Sequence, residues 1–218
     1  MHNCLINLQE IRKEIYSKNV DNNKLVKIIA VSKTFQMDKI KPLIDYGHLH
    51  FGENKVQEAV KKWTSIKSLK SDLKLHMIGQ LQTNKVKYVI PLFDYIHSLD
   101  SLKLAEKISL EQKKNNKNLK IFIQINIGNE KQKGGIKLQE LNNFYEICKS
   151  KLNLNIIGLM CIPPKGYDLN KCFRSMKNLN VSLGLNELSM GMSSDYMDAI
   201  NNGSTYIRIG SKIFGSRV

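Results

Sequence analysis

No apolar run in this 218-residue chain approaches the roughly 20 residues that cross a bilayer, so a helical membrane span is excluded. The start, Met1-His2-Asn3-Cys4-Leu5-Ile6-Asn7, lacks the basic-then-apolar order of a secretory leader. Cysteine is scarce: Cys4, Cys148, Cys161 and Cys172 form no C-x-x-C pair and no zinc-type spacing with histidine. Neither a metal nor a disulfide framework is therefore expected, and reduced thiols in the cytoplasm are. Arginine is scarce as well, with only Arg12, Arg174, Arg208 and Arg217 among the 34 basic residues. The net charge of +15 is thus almost wholly lysine, spread along the chain and densest at Lys61-Lys62, Lys67 to Lys70 and Lys113 to Lys117. Such runs read as solvated helix faces and loops, so specific nucleic-acid recognition is not expected; weak attraction to polyanions at low salt is.

What is present is a regular alternation of β-rich runs and amphipathic stretches. A leading helix spans 4–18, with Leu5, Leu8, Ile11 and Ile15 on one face. Strands are expected at 25–33, 49–52, 73–79, 95–97, 119–127, 154–160, 187–189 and 204–209. Helices are expected between them at 37–46, 53–69, 83–90, 102–113, 138–149, 169–184 and 195–201, with a very short last one opening at Gly210-Ser211. No linker divides these units, and a repeated βα alternation implies a parallel sheet. Eight units suit closure into one (β/α)8 barrel over residues 1–218, with an extra N-terminal helix. The alternative, a doubly wound open sheet, lacks its G-x-G-x-x-G turn after the first strand.

In such barrels the functional groups lie at the C-terminal ends of the strands. Lys33 ends the first strand, and the two-residue period puts it on one face with Ile29 and Val31. If that face points inward, Lys33 crowns a stack of aliphatic side chains, and partial desolvation lowers its pKa as a Schiff-base lysine requires. A lysine snorkelling to solvent at a strand end is the plainer alternative. Two late turns add an anion site. In Met190-Gly191-Met192-Ser193-Ser194-Asp195, Gly191 permits close approach and Ser193, Ser194 or Asp195 can cap the next helix. In Arg208-Ile209-Gly210-Ser211, Gly210 and Ser211 open the last one. Loops after strands seven and eight commonly hold a phosphate. Arg208 sits beside them, placed either for a structural salt bridge or to face the ring nitrogen of a cofactor.

Over essentially its whole length the chain resembles the pyridoxal phosphate homeostasis protein family. The likeness is carried by Ala30-Val31-Ser32-Lys33-Thr34, by Phe51-Gly52-Glu53-Asn54-Lys55-Val56-Gln57-Glu58, and by the segment from His76 through Gly79-Gln80-Leu81-Gln82-Thr83-Asn84 to Lys85. Ile96-His97-Ser98-Leu99-Asp100, Gly158 to Pro163, Leu188 to Asp195 and Ile207 to Gly215 complete it. The resemblance implies a barrel like the N-terminal domain of alanine racemases, with pyridoxal 5′-phosphate (PLP) held as an aldimine on Lys33. It implies phosphate contacts from Ser193, Gly210 and Ser211, Arg208 at the pyridine nitrogen, Asn54 near the lysine side of the ring, and His76 close to the pocket. Ser211 stands where the family commonly has threonine, which keeps the hydroxyl; Met77 replaces a usual aromatic, which implies altered packing. The expected role is PLP homeostasis, a monomer that holds the cofactor and passes it to apo-enzymes. The alternative is a racemase-like enzyme, which commonly needs a second acid/base group that alanine racemases take from an additional domain.

Overall fold

The structure, a computed structural model, describes residues 2–18, 26–130 and 134–215. It begins with helix α1 (Asn3–Lys18) and then alternates. The first half runs β1 (Lys27–Val31), α2 (Met37–Asp45), β2 (His50–Glu53), α3 (Val56–Leu69), β3 (Lys74–Met77), α4 (Val86–Leu92) and β4 (Tyr95–Leu99). The second runs α5 (Leu102–Asn115), β5 (Lys120–Ile125), α6 (Leu141–Glu146), β6 (Ile156–Cys161), α7 (Leu169–Ser182), β7 (Glu187–Met192), α8 (Tyr196–Asn201), β8 (Tyr206–Ile209) and α9 (Ser211–Phe214). Every strand pairs in parallel with the next, and β8 returns to β1 through Ile28↔Ile207 and Ile29↔Arg208. The sheet is closed, so the expected eight-stranded barrel is what the chain forms. No described helix is long and apolar enough to cross a membrane.

Alternation along the strands explains the closure. Ile28 and Ala30 of β1 face outward and join Ile40, Leu43 and Trp63 in a continuous shell between sheet and helices. Ile29 faces inward and meets Tyr95, Phe122, Met160 and Tyr206 on the barrel axis. At about 1.5–3 kcal/mol per fully buried large apolar side chain, the outer shell, with many more such residues, supplies most of the stabilising burial. Helix α9 has only four residues, too few to cover its strand. α1 packs beside α9 and α2 instead, burying Leu8 and Ile11, and Asn7 Nδ2 donates to Ile213 O at 3.0 Å.

The differences from the sequence expectation lie at element ends. β1 stops at Val31, because the chain turns at Thr34 with φ +69°, so Lys33 rides on a turn rather than on the strand; Leu25 lies outside the described residues. The helix expected from residue 53 starts at Val56, since Glu53 belongs to β2. β7 runs on to Met192, three residues beyond the expected end. The helix expected at 138–149 is a 3-10 turn, α6 and a π turn over Ile147–Lys151. Met77, where an aromatic is usual, is fully buried in the outer shell. The interior beneath Lys33 is not the aliphatic stack that was expected. β2, β3 and β4 each turn a histidine inward, and His50, His76 and His97 share the axis with aromatic rings.

Candidate functional site

At the C-terminal mouth of the barrel lies a cavity of about 520 Å³, a size typical of small-molecule sites. Its lining includes Lys33, Asn54, Ser193, Arg208, Gly210 and Ser211, six of the seven residues singled out from sequence. The strand ends bring them together: Lys33 follows β1, Asn54 follows β2, Ser193 follows β7, Arg208 lies at the end of β8, and Gly210 and Ser211 follow it. A groove of about 600 Å³ is larger but lies on the outside, between α3 and α4 and away from the C-terminal strand ends.

The seventh residue, His76, is absent from this lining. It sits wholly buried on β3, one layer below, where Nε2 meets His50 Nδ1 at 2.9 Å and Nδ1 meets His97 Nε2 at 2.9 Å. In the register Gly52↔His76↔Tyr95 its ring packs inside the barrel against His50, Tyr95, His97 and Tyr206. The structure places His76 beneath the pocket, joined to Arg208 through His97 and Ser189.

Both neighbours of Lys33 are clamped by a buried ionic cluster that the sequence reading missed. Glu53, fully buried, accepts at Oε1 from Ser32 Oγ (2.8 Å), Trp63 Nε1 (2.8 Å) and Lys62 Nζ (3.0 Å). Lys62 also donates to the Ser32 carbonyl (2.9 Å) and to Glu58 Oε1 (2.9 Å). Glu58 in turn accepts the Thr34 N–H at 2.6 Å. Burial alone would raise the Glu58 pKa, but the bonds from Lys62 and Thr34 outweigh it and hold the carboxyl below its usual range. Ser32 is thus fixed on one side of Lys33 and the strained Thr34 on the other. The signal was present as Glu53, Glu58 and Lys62 in the Phe51-to-Trp63 segment. Its meaning needed the fold, since only β2 followed by α3 brings these side chains behind β1.

Asn54 is held by close packing: a Cβ on Gly79 would lie 2.5 Å from the Asn54 carbonyl oxygen, so the segment after β3 can pass only without a side chain there. The buried Asn54 Oδ1 has no hydrogen-bond partner among the described residues. A buried amide oxygen left so costs about 1–3 kcal/mol, and Asn54 lines the cavity.

On the far wall, Ser193 Oγ accepts the N–H groups of Gly210 (3.3 Å) and Lys212 (3.4 Å), tying the two late turns together. Gly191, at φ +88° near the end of β7, lets α8 pack close against the strand; a Cβ there would lie 2.6 Å from that of Ala199. Asp195 does not cap α8 with its side chain; it reaches back to the Met192 N–H at 2.5 Å. Arg208 is buried, and its contacts are hydrogen bonds to neutral groups rather than the salt bridge considered from sequence. Its Nη1 donates to Ser189 Oγ (2.7 Å) and its Nη2 to the Cys161 carbonyl (2.8 Å). Burial lowers its pKa from the usual guanidinium value, against the nearby Asp195 carboxylate, and it stays charged at neutral pH.

The model of the alanine racemase N-terminal domain matches residues 6–218. A pyridoxal phosphate homeostasis protein of Aquifex aeolicus is 40% identical over 200 residues, covering 88% of this chain and 87% of its own length. That of Escherichia coli K12 is 34% identical and covers 100% of this chain and 98% of its own. Among solved structures, PipY of Synechococcus elongatus PCC7942 with PLP bound superimposes with a TM-score of 0.85 at 31% identity, covering 97% of this chain and 100% of its own. With six of the seven expected residues on one cavity and these likenesses over nearly its full length, the chain belongs to the alanine racemase N-terminal domain family, among the pyridoxal phosphate homeostasis proteins.

Proposed function

We propose that this chain binds PLP at the C-terminal mouth of its barrel, covalently through Lys33, and serves PLP homeostasis by holding the cofactor and yielding it to apo-enzymes. The observation that carries this reading is the convergence of Lys33, Asn54, Ser193, Arg208, Gly210 and Ser211 on one cavity of about 520 Å³. The residues fit the group. The unpaired Asn54 Oδ1 marks a polar contact that the described residues do not satisfy. Arg208, with one N–H of each Nη committed, keeps further donors for a ring nitrogen. When bound, PLP supplies an aldehyde carbon that an amine can attack. The Lys33 amine does so with loss of water, and return of water or exchange with another amine releases the cofactor. The turns at Ser193 and at Gly210-Ser211 hold the phosphate, and Arg208, which has no proton to give up at neutral pH, keeps the ring nitrogen unprotonated. All these groups come from residues 1–218 of one chain, so the monomer is the proposed working unit. A place in the cytoplasm, beside the enzymes that use PLP, belongs to the same reading.

Incubation of the purified protein with PLP, followed by desalting, should leave a yellow protein. Borohydride reduction should then fix one cofactor mass on the peptide containing Lys33. A colourless protein that cannot be reconstituted would overturn the proposal. Ser193→Ala removes the hydroxyl that joins the two turns, and it is expected to weaken PLP binding by about tenfold, the worth of one hydrogen bond of roughly 1–1.5 kcal/mol. Covalent capture on Lys33 should survive; unchanged affinity in an absorbance titration would remove Ser193 from the phosphate site.

A further inference from the structure

A single hydrogen-bonded file runs down the barrel from the pocket to the opposite mouth. Arg208 Nη1 meets Ser189 Oγ at 2.7 Å, and Ser189 Oγ meets His97 Nδ1 at 2.8 Å. His97 Nε2 meets His76 Nδ1 at 2.9 Å, and His76 Nε2 meets His50 Nδ1 at 2.9 Å. Ser189, His97 and His76 are fully buried, and His50 is half-buried at the lower end. Burial, then the Arg208 charge, holds His97 well below the ordinary histidine pKa. Burial, then its two histidine neighbours, does the same for His76. Burial, with Lys27 and Lys74 next, lowers His50 to about 4. All three rings are therefore neutral at pH 7, each with one N–H and one lone pair.

Resting on the PLP-binding reading of the pocket above, we propose that Arg208 fixes the direction of every proton in this file, and that Ser189 and His97 are positioning residues for the guanidinium that faces the cofactor ring. A guanidinium only donates, so Ser189 Oγ accepts from it. The other partner of that oxygen is His97 Nδ1, so the serine proton goes there. His97 must then carry its proton on Nε2 and pass it toward His76 Nδ1; His76 repeats the pattern toward His50. The reverse order would leave the buried Ser189 proton with no acceptor, at a cost of about 10- to 100-fold in population. Lys27, Lys74 and Lys120 near the lower mouth favour that reverse order. They are solvent-facing and balanced in part by Asp94 and Glu187, whereas Arg208 is buried at direct contact. Direct contact wins.

Aligned in one sense, the bonds polarise each other and make Ser189 Oγ a better acceptor for Arg208. Because Arg208 cannot hand a proton on, the file does not conduct to the ring; it locks the guanidinium between Ser189 and the Cys161 carbonyl. The histidines, buried below the site and out of reach of ligand, act through Arg208.

Two measurements test this. In the cofactor-free protein labelled with 15N-histidine, long-range 1H–15N spectra should show His50, His76 and His97 protonated at Nε2 alone. His97 carrying its proton on Nδ1 would overturn the direction. In PLP titrations read by absorbance, Ser189→Ala and His97→Phe should bind about tenfold more weakly. The phenylalanine keeps the stack on Phe122, whose centroid lies 4.3 Å from the His97 ring. His97→Gln, which both accepts and donates, should restore most of the affinity. Wild-type affinity in Ser189→Ala and in a folded His97→Phe would overturn the positioning role. Failure of the wild-type protein to take up PLP would instead sink the reading of the pocket, while the tautomer spectra, recorded without cofactor, still decide the proton direction.

Discussion

Lys33→Ala is expected to abolish covalent capture of PLP outright while leaving a folded barrel. The amine is the part of the proposed site that bonds to the aldehyde carbon, so its removal eliminates a bond rather than weakening a contact. The fold should hardly notice. Lys33 is half-buried on the turn after β1, and the clamp at Ser32 and Thr34 acts through the backbone carbonyl and N–H and the Ser32 hydroxyl, none of which the substitution touches. A melting temperature within a few degrees of wild type is expected, as for a substitution outside the core. PLP should still associate reversibly through the phosphate turns and Arg208, and should be lost on desalting. Mass analysis after borohydride decides between the two outcomes: a cofactor mass retained by Lys33→Ala would place the attachment on another lysine.

Lys62→Met should do the opposite, damaging the fold first and the chemistry through it. Lys62 is 9% exposed and is the cation paired with Glu53, which is 0% exposed. Removing one partner of a buried pair leaves an uncompensated charge, at a cost of about 3–5 kcal/mol. For a domain of this size that corresponds to a fall in melting temperature on the order of 10 °C. The Ser32 carbonyl and Glu58 lose a donor in the same stroke, so the turn carrying Lys33 loosens and capture of PLP slows. Adding Glu53→Gln removes the stranded charge and should recover much of the lost stability, without restoring the clamp. Equal melting temperatures for wild type and Lys62→Met would mean that the cluster is not a stabilising ion pair, and the account of how Lys33 is held would go with it.

Lys33, Ser193, Arg208, Gly210 and Ser211 were legible in sequence because each lies near a strand end or opens a turn, where position along the chain translates directly into the barrel mouth; Asn54, read as part of the helix from residue 53, was expected there only through the family resemblance. The groups behind them were not. His97, Ser189 and Glu53 are strand residues, and a strand gives each side chain only a choice of two faces. Whether a histidine on β3 reaches one on β4 depends on register, and Ser189 meets His97 across the barrel from 92 residues away. Lys62 looked like part of a basic helix face, yet its amine is folded under β1.

The sequence by itself determined the alternation of strands and helices, the number of units, and roughly where each strand ends. These follow from local periodicity and turn chemistry. Tertiary structure alone decided that β1 stops two residues short of Lys33, that the interior holds histidines and aromatic rings, and that His76 lies below the pocket. Those outcomes depend on closure: only when β8 pairs with β1 do the inward faces of distant strands meet, and only then can one arginine set the protons of three histidines.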